Sequence, residues 1–129
     1  MNKVDIINIL DKYNFDKNEF IIISGAALVL RDIKDSTNDI DIAVSNKLYL
    51  DLLNKYKCTF ESIKNSNEVW FLDNIINFSK NYMDSEYDRY MGYKIQSLES
   101  IYKLKQSLNR DKDQNDIKKI EKTLNNKQH

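Results

Sequence analysis

A continuous apolar run, Phe20-Ile21-Ile22-Ile23, breaks off at Ser24-Gly25 and gives way at once to the helix-forming stretch Ala26 to Arg31. Four successive apolar residues, three of them β-branched, are what a strand buried on both faces requires. The chain therefore passes from strand to helix through two small residues, and this commits it to an α/β arrangement in which helices pack on a sheet. Ser24 is placed to cap the helix, since its hydroxyl can accept a bond from a free N–H of the first turn. With only two glycines, Gly25 and Gly92, and no proline, the few places that need unusual backbone geometry are easy to locate.

The flanking sequence continues this alternation. Val4, Ile6, Ile7 and Leu10 recur at helical spacing between Lys3 and Tyr13, with Asp5 and Asp11 on the remaining surface. Lys34 to Asn38 is polar and loop-like, and Asp39 to Val44 reads as a second strand with a polar face at its start. Lys47 to Tyr56 is leucine-rich enough for a helix against the sheet. Cys58 to Ile63 and Glu68 to Leu72, separated by Lys64-Asn65-Ser66-Asn67, read as a hairpin, and Ile75 to Phe78 adds a further strand. Tyr82 to Tyr93 mixes tyrosines and acids without a period and is expected to be loop and irregular structure. Leu98, Ile101, Leu104 and Leu108 define a helix after a Ser97 or Ser100 cap, and Ile117, Ile120 and Leu124 define a last one from Gln114 to Leu124. Asn125 to His129 is expected to fray.

A length of 129 residues suits a single domain, with its core at about residues 20–80 and C-terminal helices at about 97–124. The 41% of hydrophobic residues excludes a disordered chain, and twenty basic against twenty acidic residues give no general attraction to nucleic acid or to an anionic membrane. Any polyanion site must be local. Cys58 is alone and cannot close an intramolecular disulfide, no apolar run reaches membrane-spanning length, and no signal-peptide pattern opens the sequence, so a cytoplasmic protein is expected.

Asp39 and Asp41 are two apart on a strand and so leave the same face of the sheet. Two neighbouring carboxylates repel unless a cation or hydrogen-bond donors offset the charge, and Mg2+ prefers such hard oxygens and also binds substrate phosphates. The Ser24-Gly25 turn can supply the other half of a phosphate site, because a side chain missing at Gly25 lets an anion approach the backbone. Each part also has a plainer account: Ser24 as a helix cap only, the two aspartates as a solvated strand edge.

Taken together, Ile21-Ile22-Ile23-Ser24-Gly25-Ala26-Ala27, Arg31 and Thr37-Asn38-Asp39-Ile40-Asp41-Ile42 resemble the nucleotidyltransferase superfamily. The resemblance is to its small bacterial branch of minimal nucleotidyltransferases and AbiEii-type toxin enzymes. Ser97-Leu98-Glu99, Lys105, Arg110, Lys112-Asp113 and Asp116 are similar to that family's helical signature after the sheet. The resemblance implies a mixed β-sheet flanked by helices that binds a nucleoside triphosphate such as ATP with magnesium. Asp39 and Asp41 would hold the metal, and Ser24 and Gly25 would contact the β and γ phosphates. Lys105 and Arg110 would reach nucleotide phosphates or else be surface cations, with Asp113 and Asp116 orienting them. An external acceptor, whether protein, RNA or small molecule, would attack the α-phosphorus, and an antitoxin partner follows by analogy.

The resemblance breaks at one place. Active members carry a third carboxylate on a later strand, where this chain has Asn77, an amide that cannot act as a base. Asp73 lies just before it and could substitute in another register. The alternative function is therefore a catalytically impaired nucleotide-binding or protein-interaction module of the same fold. Cys58 reads as a buried hydrophobe, Trp70, Phe71 and Phe78 as sheet packing, and Lys118, Lys119, Lys122 and Lys127 as a solvated helix face. Tyr82, Tyr87, Tyr90 and Tyr93 read as core edge in preference to a base-stacking surface, and the terminal His129 builds no site.

Overall fold

Local sequence accounts for most element boundaries. In the computed structural model, which describes residues 1–64 and 66–127, helix α1 (Lys3–Tyr13) starts with a capping box: Asn2 accepts from the Asp5 N–H, and the Asp5 carboxylate accepts from the Asn2 N–H. It ends on Asn14, whose left-handed φ of 56° is a conformation that asparagine tolerates. Ser45 caps α3 (Asn46–Lys55), and Ser97 caps α4 (Leu98–Leu108), each hydroxyl accepting from the N–H three residues on. After a 3-10 turn at Asp111–Asp113, α5 runs over Gln114–Lys127. It is longer than the apolar periodicity suggested, because Asn125 and Asn126 stay helical; Gln128 and His129 lie outside the described residues.

The described strands form one mixed sheet. They are β1 (Phe20–Ile22), β2 (Ile40–Val44), β3 (Thr59–Lys64), β4 (Asn67–Leu72), β5 (Ile76–Ser79), β6 (Tyr87–Tyr90) and β7 (Tyr93–Gln96), in the order β3-β4-β5-β2-β1-β7-β6. The pairs β2/β5 and β1/β7 are parallel and the rest antiparallel. The β3/β4 hairpin is the one expected from the sequence, although Asn65 of its turn lies outside the described residues.

The β6/β7 hairpin corrects the expectation of irregular structure from Tyr82 to Tyr93. Tyr90 pairs with Tyr93 across a two-residue turn, and Met91 and Gly92 both have positive φ, 50° and 85°. That is the turn whose twist suits a hairpin, but methionine in place of asparagine hides it. The strand Tyr87-Asp88-Arg89-Tyr90 is mostly exposed, so no apolar alternation announces it either.

Strand alternation divides the sheet into two unlike faces. Phe20, Ile22, Ile40, Ile42, Val44, Ile76 and Phe78 enter the main core, to which every described α-helix contributes: Ile6, Leu28, Leu48, Leu98 and Ile120 among others. On the other face the apolar cluster is small: Ile21, Ile23 and Ala43, with Tyr82 and Met83 against it. That face also carries Val69 and Phe71 of β4 and polar side chains, among them Asp41 and Asn77, which stand side by side in the β2/β5 register. No helix among the described residues is long and apolar enough to cross a membrane.

Candidate active site

The polar face of the sheet forms the floor of a cleft of about 600 Å³, and the C-terminal helices supply one wall. Ser24, Gly25, Asp39, Asp41, Lys105 and Arg110 all line it, as does Asn77. The antiparallel β1/β2 pairing brings the turn and the acid pair together, and the Ile23 N–H donates to the Asp41 carbonyl at 3.0 Å.

Among the carboxyl groups of the cleft, Asp41 is displaced furthest from its ordinary behaviour. Burial, followed by the charge of Asp39, pushes its carboxyl from an ordinary 3.8 up to about 7; Glu61 adds to the effect, and Lys64 and Lys105 oppose it. Its Oδ1 is buried and makes no hydrogen bond. A desolvated carboxylate oxygen with no donor, beside a second carboxylate, has the chemistry of a divalent-cation ligand. Two carboxylates completed by substrate phosphates also match how magnesium is commonly held. The residues present therefore fit a magnesium ion.

Three expectations need correction. Ser24 does not cap α2 (Ser24–Leu30): Ile23 is the capping residue, no side chain bonds the first turn, and Ser24 is itself the first helical residue with φ 57°. Its N–H is not free for an anion, because it donates to Gln96 Oε1 at 3.0 Å. The missing side chain of Gly25 makes room for protein as well, since a Cβ there would stand 3.2 Å from Thr37 Oγ1. Thr37 donates to the Asp39 carbonyl at 3.2 Å, so the glycine lets the loop before β2 close over the turn and set Asp39. Asp73 is not a substitute for Asn77. It is absent from the cleft lining, sits in the β4/β5 connection and accepts a bond from the Tyr13 hydroxyl.

Lys105 and Arg110 reach the cleft, but not as free surface cations. Lys105 Nζ is buried, 3.0 Å from Asp113 and 3.4 Å from Asp116, and Arg110 Nε is 2.6 Å from Asp113. Asp113 and Asp116 thus orient the cations as expected. Burial works to raise the Asp113 carboxyl, but bonds from Arg110 and Lys105 outweigh it and hold the group below its ordinary value.

Several site residues had no signal in the sequence. Gln96, 1% exposed, ties the turn to β7: it accepts from Ser24, donates to Ser100 Oγ, and its carbonyl accepts from the Arg31 guanidinium at 2.9 Å. Glu61 reaches the cleft from a β-bulge between Phe60 and Ser62 that upsets the simple alternation of β3. Cys58 is half-buried and its thiol is pushed up by burial and then by Asp73, which suits a packing role. Tyr82, Tyr90 and Tyr93 pack against core, whereas Tyr87 is 43% exposed on an edge strand.

Ser24 in the left-handed region strains the backbone by about 1 kcal/mol or somewhat more. Ser24→Gly is expected to raise the urea unfolding free energy by about that amount, and an unchanged or lower value would show that the serine side chain compensates the strain.

Comparison with protein-family models, with curated proteins and with solved structures finds no match to the chain.

Proposed function

We propose that this chain is a magnesium-dependent nucleotidyltransferase of the minimal and AbiEii-like type, moving a nucleoside monophosphate group from a nucleoside triphosphate to an external acceptor. The observation that carries the reading is the unpartnered, buried Oδ1 of Asp41 beside Asp39, in a cleft shared with the Ser24-Gly25 turn. Asp39 and Asp41 hold magnesium, which when bound supplies positive charge against the attacked phosphate and the departing pyrophosphate. The Ser24-Gly25 turn faces the β and γ phosphates, and Lys105 and Arg110, fixed by Asp113, line the wall beside them. The acceptor is a protein, an RNA or a small molecule entering from outside, and the protein acts in the cytoplasm, as the toxin of a toxin–antitoxin pair in the analogous case. Incubation with labelled triphosphates, magnesium and cell extract tests this: label is transferred by the wild type and not by Asp41→Asn, and equal labelling by both removes the reading.

A second reading, a nucleotide-binding or interaction module without turnover, is favoured by Asn77. This amide stands in register beside Asp41, where it can hydrogen-bond but cannot take a proton from an acceptor. Under it, calorimetry gives triphosphate binding without labelling, and Asn77→Asp raises labelling at least about tenfold, within the range of a general base. No gain from Asn77→Asp would mean that the missing carboxylate is not what limits the chain.

A further inference from the structure

We propose that Lys34 is the residue that distinguishes a nucleoside triphosphate from a monophosphate in this cleft. The inference rests on the nucleotidyltransferase reading and adds to it a residue outside the motifs on which that reading was built.

Five cations line the cleft among the described residues: Lys34, Lys64, Lys105, Arg110 and Lys112. They are not equally free to take an anion. Lys105 has a side chain only 7% exposed and lies between two carboxylates, and Arg110 is held by Asp113 at 2.6 Å. A phosphate that took Lys105 would leave two buried carboxylates short of a cation, and one that took Arg110 would break a short, tight pair, both of which are costly. Lys64 and Lys112 are exposed, and water and salt weaken their pull.

Lys34 is intermediate, and its partner does not depend on it. Its side chain is 31% exposed, and the ion pair it makes among the described residues, to Asp116, is 3.5 Å long. Charge-assisted hydrogen bonds are nearer 2.7–2.9 Å, so this contact is loose. Lys105 lies 3.4 Å from the same Asp116 oxygen, so that carboxylate keeps a partner when Lys34 leaves.

The position of Lys34 sets what it can recognise. Its Nζ would lie 4.0 Å from a β-carbon built on Gly25, where the absence of a side chain leaves the amine facing the turn. Lys34 thus stands at the turn to which the proposed function brings the β and γ phosphates, in the cleft that the acid pair also lines. A triphosphate whose β and γ groups lie at the turn comes within reach of Lys34, whereas a monophosphate held at the acid pair leaves the turn empty.

Calorimetry in the presence of magnesium tests this with the four non-hydrolysable triphosphates and the four monophosphates, on the wild type, Lys34→Met and Lys34→Arg. Loss of one charge-assisted contact corresponds to a Kd about 10- to 100-fold weaker. Lys34→Met is expected to weaken the tightest triphosphate by that factor while leaving the matching monophosphate within about twofold, and Lys34→Arg to restore most of the loss. Equal weakening of both ligands, or no change in either, would overturn the role. Failure of the wild type to bind any triphosphate would overturn the nucleotide reading itself, and Lys34's role with it.

Discussion

Asp41→Asn is expected to abolish nucleotidyl transfer and, in the absence of metal at pH 8, to make the protein more stable. The carboxyl of Asp41 is pushed up from 3.8 to about 7, first by burial and then by the charge of Asp39. A raised acid binds its proton more tightly in the folded chain than in the unfolded one. The contribution of Asp41 to stability is therefore highest below pH 4, falls as pH rises from about 4 to about 7, and levels off once both states are ionised. The full span is about 4 kcal/mol at 1.36 kcal/mol per pKa unit. An uncharged amide of the same shape avoids the ionisation cost but keeps its own desolvation, so a gain of about 2–3 kcal/mol is expected at pH 8. Near pH 4 the two proteins differ little. Urea unfolding at both pH values measures the difference, and the subtraction removes every group common to the two chains. Magnesium should raise the unfolding midpoint of the wild type at pH 8 and not that of the variant, because a ligand stabilises only the state that binds it. A variant no more stable than the wild type at pH 8 would mean that Asp41 is well solvated when charged, and the metal reading would lose its support.

The features on which this prediction depends were legible in the sequence because they are local. Phe20 to Ile23 spells a buried strand, Ser24-Gly25 its exit, and Asp39 and Asp41 share a face through the period of two. The residues that support or complete the cleft are not legible in the sequence, for identifiable reasons. Gln96 meets Ser24 across 72 positions of chain, a pairing set by the parallel β1/β7 contact and by no nearby pattern. Glu61 depends on a bulge, which moves a side chain relative to the simple alternation of the strand. Lys34 looked like one polar loop residue among several, and only the close approach of the loop to Gly25, made possible by a missing Cβ, gives it a place. The Tyr87–Gln96 hairpin was hidden because its outer strand is exposed and its turn uses methionine where asparagine is usual. Ser24 has the right chemistry for a cap of α2 but stands one residue further along, in a left-handed conformation with its N–H bonded to Gln96, so the cap falls on Ile23.

Lys105→Met is expected to destabilise the fold by about 3 kcal/mol, in contrast to Lys34→Met, which should change stability by less than about 1 kcal/mol. Both lysines approach Asp116, yet they differ in what they leave behind. Lys105 is buried between Asp113 and Asp116, so its removal strands two carboxylates that are themselves 3% and 8% exposed. Arg110 still reaches Asp113 at 2.6 Å, and Lys34 reaches Asp116 only at 3.5 Å, which is partial compensation. Since α4 carries Lys105 while the acids lie in the following turn and α5, this network latches the C-terminal helices to each other. Asp113 fixes the pH dependence. Its carboxyl is held below its ordinary value in the folded chain, so the latch contributes fully above about pH 4 and is lost as pH falls through the lower folded value. The gap between the wild type and Lys105→Met in urea should therefore be full at pH 7 and shrink towards pH 3. A gap below about 1 kcal/mol at pH 7 would assign the α4/α5 contact to apolar packing alone and leave Lys105 free to act directly on a phosphate.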